Sequence, residues 1–354
     1  MRSVNVGIVG VGNCASSLVQ GVEYYSNAES STPGLTNAVC AGYSIPDIRF
    51  SSAFDVDRSK IDRDLSEAIW AAPNNALKFA DVPHLGVQVR EGILADGVGD
   101  SAARKINARG RAKLEEIIAH LKSTDTQVMV NLLPAGSQSA SELYAEAAID
   151  AGCAFVNCIA AVIARSADWA GKFESAGLPL IGDDLRSQLG ATRVHQSLVD
   201  VLSRNGVQLR NTYQIVSGGN TDFLNLQDPE RVRSRQTFKI PGFGGAQLPA
   251  ECVHFGSEYV PFLKDRQIAF IRLEGAGFGG TPLEVELRMG VEDSPNVAGN
   301  VLDAVRYMKS AMDRKIAGVV DPVASLLMKA PPRSLSEPVM RAGLRAVADQ
   351  WDIA

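Results

Sequence analysis

Val4 to Val9 is an almost unbroken apolar run, the pattern of a strand covered on both faces, and it stops at Gly10-Val11-Gly12. Residues 13–25 then read as a helix, residues 26–47 as a polar loop rich in Ser, Asn, Pro and Gly, and residues 48–55 as a second strand. Residues 60–110 are mixed, with turns at Pro73-Asn74-Asn75 and at Asp96-Gly97-Val98-Gly99. Leu114, Ile117, Ile118 and Leu121 fall on one face of a charged helix over 111–122. An apolar strand over 127–133 breaks at Pro134-Ala135-Gly136-Ser137, and a helix over 139–151 follows with Ser137 and Ser139 as cap candidates. Strand 154–156, helix 167–175 and strand 178–182 continue the alternation.

That alternation predicts an α/β fold with a Rossmann-type, doubly wound parallel sheet. After about residue 195 the period changes to two: 207–216, 268–274 and 283–291 alternate between glycine turns, as an inserted mixed or antiparallel β-sheet of an α+β domain would. Residues 242–256, rich in glycine and proline, read as a mobile loop. Helical periodicity returns over 297–315, and a last helix places Met340, Leu344, Val347 and Trp351 on its core face. The expected division is 1–190 completed by 296–354, with 191–295 as a substrate and oligomerisation domain.

Ligands of such sheets lie beyond the carboxyl ends of the strands, so the strand tips hold the candidate chemistry. Gly10, Gly12, Asn13, Cys14 and Ala15 follow the first strand in the order a dinucleotide needs: a tight turn, a bare backbone for the pyrophosphate, and a helix N-terminus. Asp55, at the tip of the second strand, is placed to accept adenosine ribose hydroxyls, with Asp57 close behind. Leu133, Pro134, Gly136, Ser137, Asn157 and Gly182-Asp183-Asp184 complete the rim. Asp183, Asp184 and Arg186 are suited either to positioning a substrate or to capping a helix. Gly218-Gly219-Asn220-Thr221-Asp222 reads either as an anion-binding concavity or as a plain turn. Lys239 borders the glycine-rich loop within reach of a phosphate, and Asp293-Ser294-Pro295-Asn296 opens a helix.

Composition narrows the classes. With 354 residues the chain is long enough for two cores, and a formal net charge of -5 argues against a general nucleic-acid binder. Five cysteines without zinc or CxxC spacing read as reduced thiols, and the four histidines show no metal or triad spacing, so no metal is expected. The first residues enter a strand directly, and the longest apolar stretch, 153–164, is too short to span a bilayer. These readings lead to the expectation of a cytoplasmic protein without membrane or nucleic-acid partners.

Several blocks together resemble the myo-inositol-1-phosphate synthases of the actinobacterial branch. They are Val9–Gly21, Phe54-Asp55-Val56-Asp57, Ala148–Gly152, Gly182-Asp183-Asp184, Gly218–Asn225 and Asp293-Ser294-Pro295-Asn296. The resemblance implies a homotetrameric, NAD-dependent but redox-neutral cyclase of a hexose phosphate. In that family glucose 6-phosphate is oxidised at carbon 5, enolised at carbon 6, closed by aldol attack on carbon 1 and reduced by the same cofactor. It further implies cofactor contacts from Asp183, Asp293 and Ser294, and catalytic roles for Asp184, Asn220, Asp222 and Lys239. Two family lysines are replaced. Arg186 stands where one is implied, and Met312 where another is, with Lys309 one turn earlier as a substitute. An arginine keeps the charge but gives up a proton poorly. Two alternatives to inositol phosphate synthesis therefore stand beside it: cyclisation of fructose 6-phosphate to a cyclopentane phosphate of the carbocyclic-nucleoside type, and a non-catalytic NAD-binding regulator.

Overall fold

The computed structural model describes residues 2–26, 33–233 and 248–348. In chain order the strands are β1 Val4–Val9, the short hairpin β2 Val39–Cys40 and β3 Tyr43–Ser44, β4 Ile48–Asp55, β5 Val89–Glu91, β6 Val128–Asn131, β7 Ala154–Asn157 and β8 Pro179–Ile181. They continue with β9 Gln208–Gly218, β10 Val253–Tyr259, β11 Arg266–Ala276, β12 Pro282–Glu292 and β13 Gly318–Val319. The helices are α1 Asn13–Tyr24, α2 Leu65–Ala68, α3 Leu114–Ser123, α4 Gln138–Ala151, α5 Ala167–Ser175, α6 Ala191–Arg204, α7 Thr221–Asn225, α8 Asp293–Asp313, α9 Asp321–Leu327 and α10 Glu337–Val347.

Seven strands form one sheet in the order β13-β8-β7-β6-β1-β4-β5, every pair parallel. From β5 outward this is the 3-2-1-4-5-6 order of Rossmann-type sheets, extended by one strand, and the order reverses between β1 and β6. Val9 pairs with both Phe54 and Asn131, and Asn131 with Asn157, so the tips of β1, β4, β6 and β7 end level. Alternation divides the side chains: Val6 and Ile8 join α1 and α8 in one buried cluster, whereas Val9, Met129 and Phe155 join α3 and α4 in the other. Helix α8 lies against α1, β1, β6, β7 and β8, so the C-terminal segment covers a face that the N-terminal segment builds.

The second sheet is mixed, in the order β10-β9-β11-β12, with β10 parallel to β9 and the other pairs antiparallel. Val199 and Leu202 of α6 pack on Ala269, Ile271 and Leu273 of β11. Four expectations need correction. Residues 253–256 are not loop but the start of β10, held by pairing with β9 from Val253↔Thr212 onward, while 242–247 fall outside the described residues. Helix α6 went unread, although Ala191, His195, Val199 and Leu202 recur at helical spacing. Strands β5 and β13, three and two residues long, also went unread. Neither Ser137 nor Ser139 caps α4 through its side chain; the Asp96 carboxylate accepts the N–H groups of Ser139 and Ala140 at 2.8 and 2.9 Å. Trp351 lies outside the described residues. Among the described residues no helix is long and apolar enough to cross a membrane.

Candidate active site

The strand tips open into a cleft of about 260 Å³ that runs from Gly10 to the start of α6. At its β1 end, Gly10 turns the chain with φ +89°, where a Cβ would lie 2.8 Å from the Leu132 carbonyl oxygen. Only glycine satisfies both conditions. Gly12 then caps α1 without any side-chain hydrogen bond, and a Cβ there would meet nothing within 4 Å. A helix N-terminus facing open space is a ready anion site.

Asp55 ties this turn to its neighbours. Its carboxylate accepts the N–H of Val11 at 2.7 Å and of Asp57 at 2.8 Å, and Lys60 Nζ stands 3.7 Å away. Lys60 also donates to Asn74 Oδ1, and Asn74 Nδ2 donates back to the Val11 carbonyl. Asp55 thus borders the cleft as expected, but much of its accepting capacity already fixes the glycine turn.

A second group of polar residues joins the two sheets. Asp265, 1% exposed at the head of β11, accepts from Asn13 Nδ2 (2.8 Å), Asn220 Nδ2 (3.0 Å) and both the hydroxyl and the N–H of Ser294. Burial raises its pKa although these donors oppose the shift. Asn220 Nδ2 also donates to Asp293, whose other oxygen accepts from Gln267 Nε2, and Asn220 Oδ1 caps α7 through the Phe223 N–H. Cys14 lies here too, 3.9 Å from Ser294 Oγ; burial pushes its thiol far above the ordinary value, so it is an inert neutral group.

The β8 end of the cleft is cationic. Residues 183–186 run alongside 327–330, with Asp184 O accepting the Lys329 N–H and Leu327 O accepting the Arg186 N–H. This pairing brings Lys329 Nζ within 2.8 Å of Asp184 Oδ1. Asp184 is 6% exposed and adopts φ +62°; among the described residues its Oδ2 has no partner. Arg186 and Arg193 both border the cleft, and burial together with the charge of Arg193 lowers the Arg186 pKa. Two guanidiniums bordering one cleft favour an anion there. Gly190 caps the fourteen-residue α6 without a side-chain bond, so its first N–H groups add to the same field.

Among the sequence-predicted residues, the cleft gathers Gly10, Gly12, Asn13, Cys14, Asp55, Leu133, Pro134, Asp184, Arg186, Asn220, Asp222, Asp293 and Ser294. It does not gather Gly136, Ser137, Asp183 or Lys309. Ser137 is buried with its hydroxyl on Pro134 O. Asp183 is buried beneath the rim, where it accepts from Asn157 Nδ2 and the N–H groups of 163–165. Lys309 lies far along α8, paired with Asp313 and set over the Tyr43 ring, and Met312 packs against both core clusters. Neither supplies a cation to the cleft. Gly218 and Gly219 make a close crossing: a Cβ on Gly219 would fall 2.5 Å from Val260 O, and the Gly219 N–H is taken up by Lys264 O at 2.9 Å. Lys239 lies outside the described residues. Lys329, Arg193 and Asp265 were missed.

A Rossmann-type sheet whose switch-point cleft joins a bare glycine turn to an acid–lysine pair and two arginines defines an α/β protein with a candidate ligand site at the carboxyl ends of its strands. The family model described as myo-inositol-1-phosphate synthase matches residues 190–294. The inositol-3-phosphate synthase of Mycolicibacterium smegmatis is 45% identical over 351 residues, covering 96% of each chain. Among solved structures, Ari2 superposes with a TM-score of 0.82 at 31% identity, covering 98% of this chain and 99% of that one. A myo-inositol-1-phosphate synthase-related protein from Thermotoga maritima gives 0.79 at 25% identity, covering 99% and 100%. The chain belongs to the inositol-3-phosphate synthase family.

Proposed function

We propose that this protein is an NAD-dependent, redox-neutral cyclase of a hexose 6-phosphate, of the inositol-3-phosphate synthase type. One observation carries the reading: a lysine ammonium paired with a buried carboxylate shares one cleft with the glycine turn and two arginines. The residues fit NAD, because the space over Gly12 and the uncapped start of α1 leave room for a pyrophosphate. Gly10, Gly12, Asn13 and Cys14 would hold the pyrophosphate and Asp55 the adenosine ribose. Leu133 and Pro134 would wall the site, with Asp293 and Ser294 toward the nicotinamide. When bound, the cofactor supplies a hydride acceptor for carbon 5 and later the donor that restores it.

The chain's own residues do the rest. Three strand spacings separate β1 from β8, about 14 Å, so a sugar beside the turn places its phosphate near α6. Arg186, Arg193 and the first amides of α6 hold that phosphate. Lys329 bonds the substrate oxygen that becomes an alkoxide as the ring closes and returns a proton to it, which a guanidinium does poorly. Asp184 aims Lys329. Asn220 and Asp222 line the facing wall. The division into 1–190 with 296–354 and an inserted 191–295 belongs to the same reading, supported by α8 lying on the parallel sheet. A homotetramer belongs to it as well, supported by Phe270, exposed on the outer face of β11.

Arg186 within the cleft favours a second reading, fructose 6-phosphate closed to a cyclopentane phosphate. Purified protein with NAD+ and each sugar phosphate separately, its products identified by mass spectrometry and NMR, decides. Inositol phosphate from glucose 6-phosphate is the expected result, a cyclopentane from fructose 6-phosphate alone selects the second reading, and bound NAD without either product leaves a regulator.

A further inference from the structure

From the last residue of α7 onward the chain sends three side chains, three residues apart, onto the loops that wall the glycine-turn side of the cleft. Asn225 Nδ2 donates to the Ala135 carbonyl at 2.8 Å, and Arg231 Nη1 donates to the same oxygen at 2.7 Å. The other arm of the guanidinium, Nη2, donates to the Asp96 carbonyl at 2.5 Å. Asp228 accepts the hydroxyl of Ser101 at 2.5 Å and its N–H at 3.3 Å. Gly99 leaves the room these groups occupy: a Cβ there would lie 2.3 Å from Asp228 Oδ2 and 2.5 Å from Arg231 Nε. The loops so fastened, through Gly97, Val98 and Leu133 to Ala135, border the cleft, whereas Asn225, Asp228 and Arg231 do not.

We propose that Asn225, Asp228 and Arg231 form a clasp that holds these two loops closed over the dinucleotide and slows its release. The inference rests on the cyclase reading and gives it a physical requirement. A reaction that oxidises and then reduces its own intermediate must retain the reduced cofactor until the ketone is gone. Escape in mid-cycle strands both halves. The three are positioning residues, acting on the cofactor through backbone they hold rather than by touching it.

The test measures NADH dissociation by stopped-flow fluorescence, with hydrogen exchange at the Ser101 and Gly97 amides of the cofactor-free protein. Arg231→Leu keeps the stem and removes the fork, Arg231→Lys keeps the charge but bonds only one carbonyl, and Gly99→Ala disturbs the clasp from the opposite side. Loss of charge-assisted hydrogen bonds of this kind is expected to speed NADH release by about 10- to 100-fold in Arg231→Leu and Gly99→Ala, and by less in Arg231→Lys. Exchange at Ser101 rises in parallel, kcat at saturating NAD+ falls far less than the affinity, and free NADH leaks during turnover. Unchanged NADH release and unchanged Ser101 exchange in folded Arg231→Leu and Gly99→Ala overturn the clasp while leaving the cyclase reading intact. A wild-type protein that binds no NADH overturns both.

Discussion

At the scale of single residues, the proposed chemistry rests most on Lys329. Removing one stabiliser of a developing oxyanion costs about 100- to 1,000-fold in rate. Lys329→Met should therefore lower kcat by that factor, with binding of an unreactive hexitol phosphate changed only a few-fold; Lys329→Arg should not rescue the rate. A drop in binding equal to the drop in kcat would make Lys329 a mere anchor. Nothing in the sequence marked this lysine, because its meaning comes from Asp184, 145 positions away, across a backbone pairing that no local pattern encodes. Met312, by contrast, has a legible replacement but no place in the cleft, so restoring a lysine there would bury a charge instead of repairing a site. The informative reversion is Arg186→Lys alone: under the fructose 6-phosphate reading, glucose 6-phosphate turnover should rise.

His195 is a residue-scale matter of another kind. It is fully buried beneath the mixed sheet, and Thr212 donates its only hydroxyl proton to Arg272 O, so the 2.5 Å contact requires His195 Nε2 to donate to Thr212 Oγ1. Burial holds the neutral ring and lowers its pKa from 6.5 to about 4. Between those values the unfolded chain binds a proton that the folded chain refuses. Stability from this site is complete above pH 6.5 and is lost as pH falls toward 4, by about 3 kcal/mol. Urea midpoints at pH 7 and pH 4.5 should differ by more in the wild type than in His195→Gln, and equal slopes would remove the histidine from the account.

At the scale of elements, β1, β4, β6, β7 and β8 of the parallel sheet and the first helix were legible because each is a compact run with its own period. Strands β5 and β13, of three and two residues, are too short to show one. Strand β10 and helix α6 were not legible either. The period-two signal in His254-Phe255-Gly256 is faint beside the glycine-rich stretch ahead of it, and the parallel pairing with β9 comes from tertiary contact. Helix α6 places a histidine on its core face between Ala191 and Val199, which interrupts the apolar pattern. The β2–β3 hairpin illustrates the same limit: it is fastened by Arg306 of α8, wholly buried, which donates to Asn37 O and Ala38 O at 3.0 Å and to Asp303 at 2.5 Å. Removing one member of a buried ion pair costs about 3–5 kcal/mol. Arg306→Met should lose that much in chemical denaturation, and Asp303→Leu with Arg306→Met should recover part of it. Equal losses in the single and double variants would show that the backbone bonds of Arg306, not its pairing, hold the hairpin.

For the whole molecule, the question is how two sheets that share no hydrogen-bonded strand present one cleft. Asp265 answers it. Its carboxylate draws donors from the glycine-turn helix through Asn13, from the end of β9 through Asn220 and from the head of α8 through Ser294, so three segments from distant parts of the chain meet on one buried charge. In the sequence Asp265 is only an acid between Lys264 and Arg266, and burial distinguishes it. Asp265→Asn tests the consequence. An amide keeps one oxygen, but its NH2 replaces an acceptor that now faces the Ser294 N–H, leaving donors opposed in a dry site at a cost of about 1–3 kcal/mol. Because the same charge sets Asn13 and Asn220, the loss should fall on both ligands together. KM for NAD and KM for the sugar phosphate should rise by similar factors, while Lys329, held by Asp184 on the opposite rim, keeps kcat within a few-fold. A rise in only one of the two would mean that the sheets are fixed elsewhere and that Asp265 serves a single wall of the cleft.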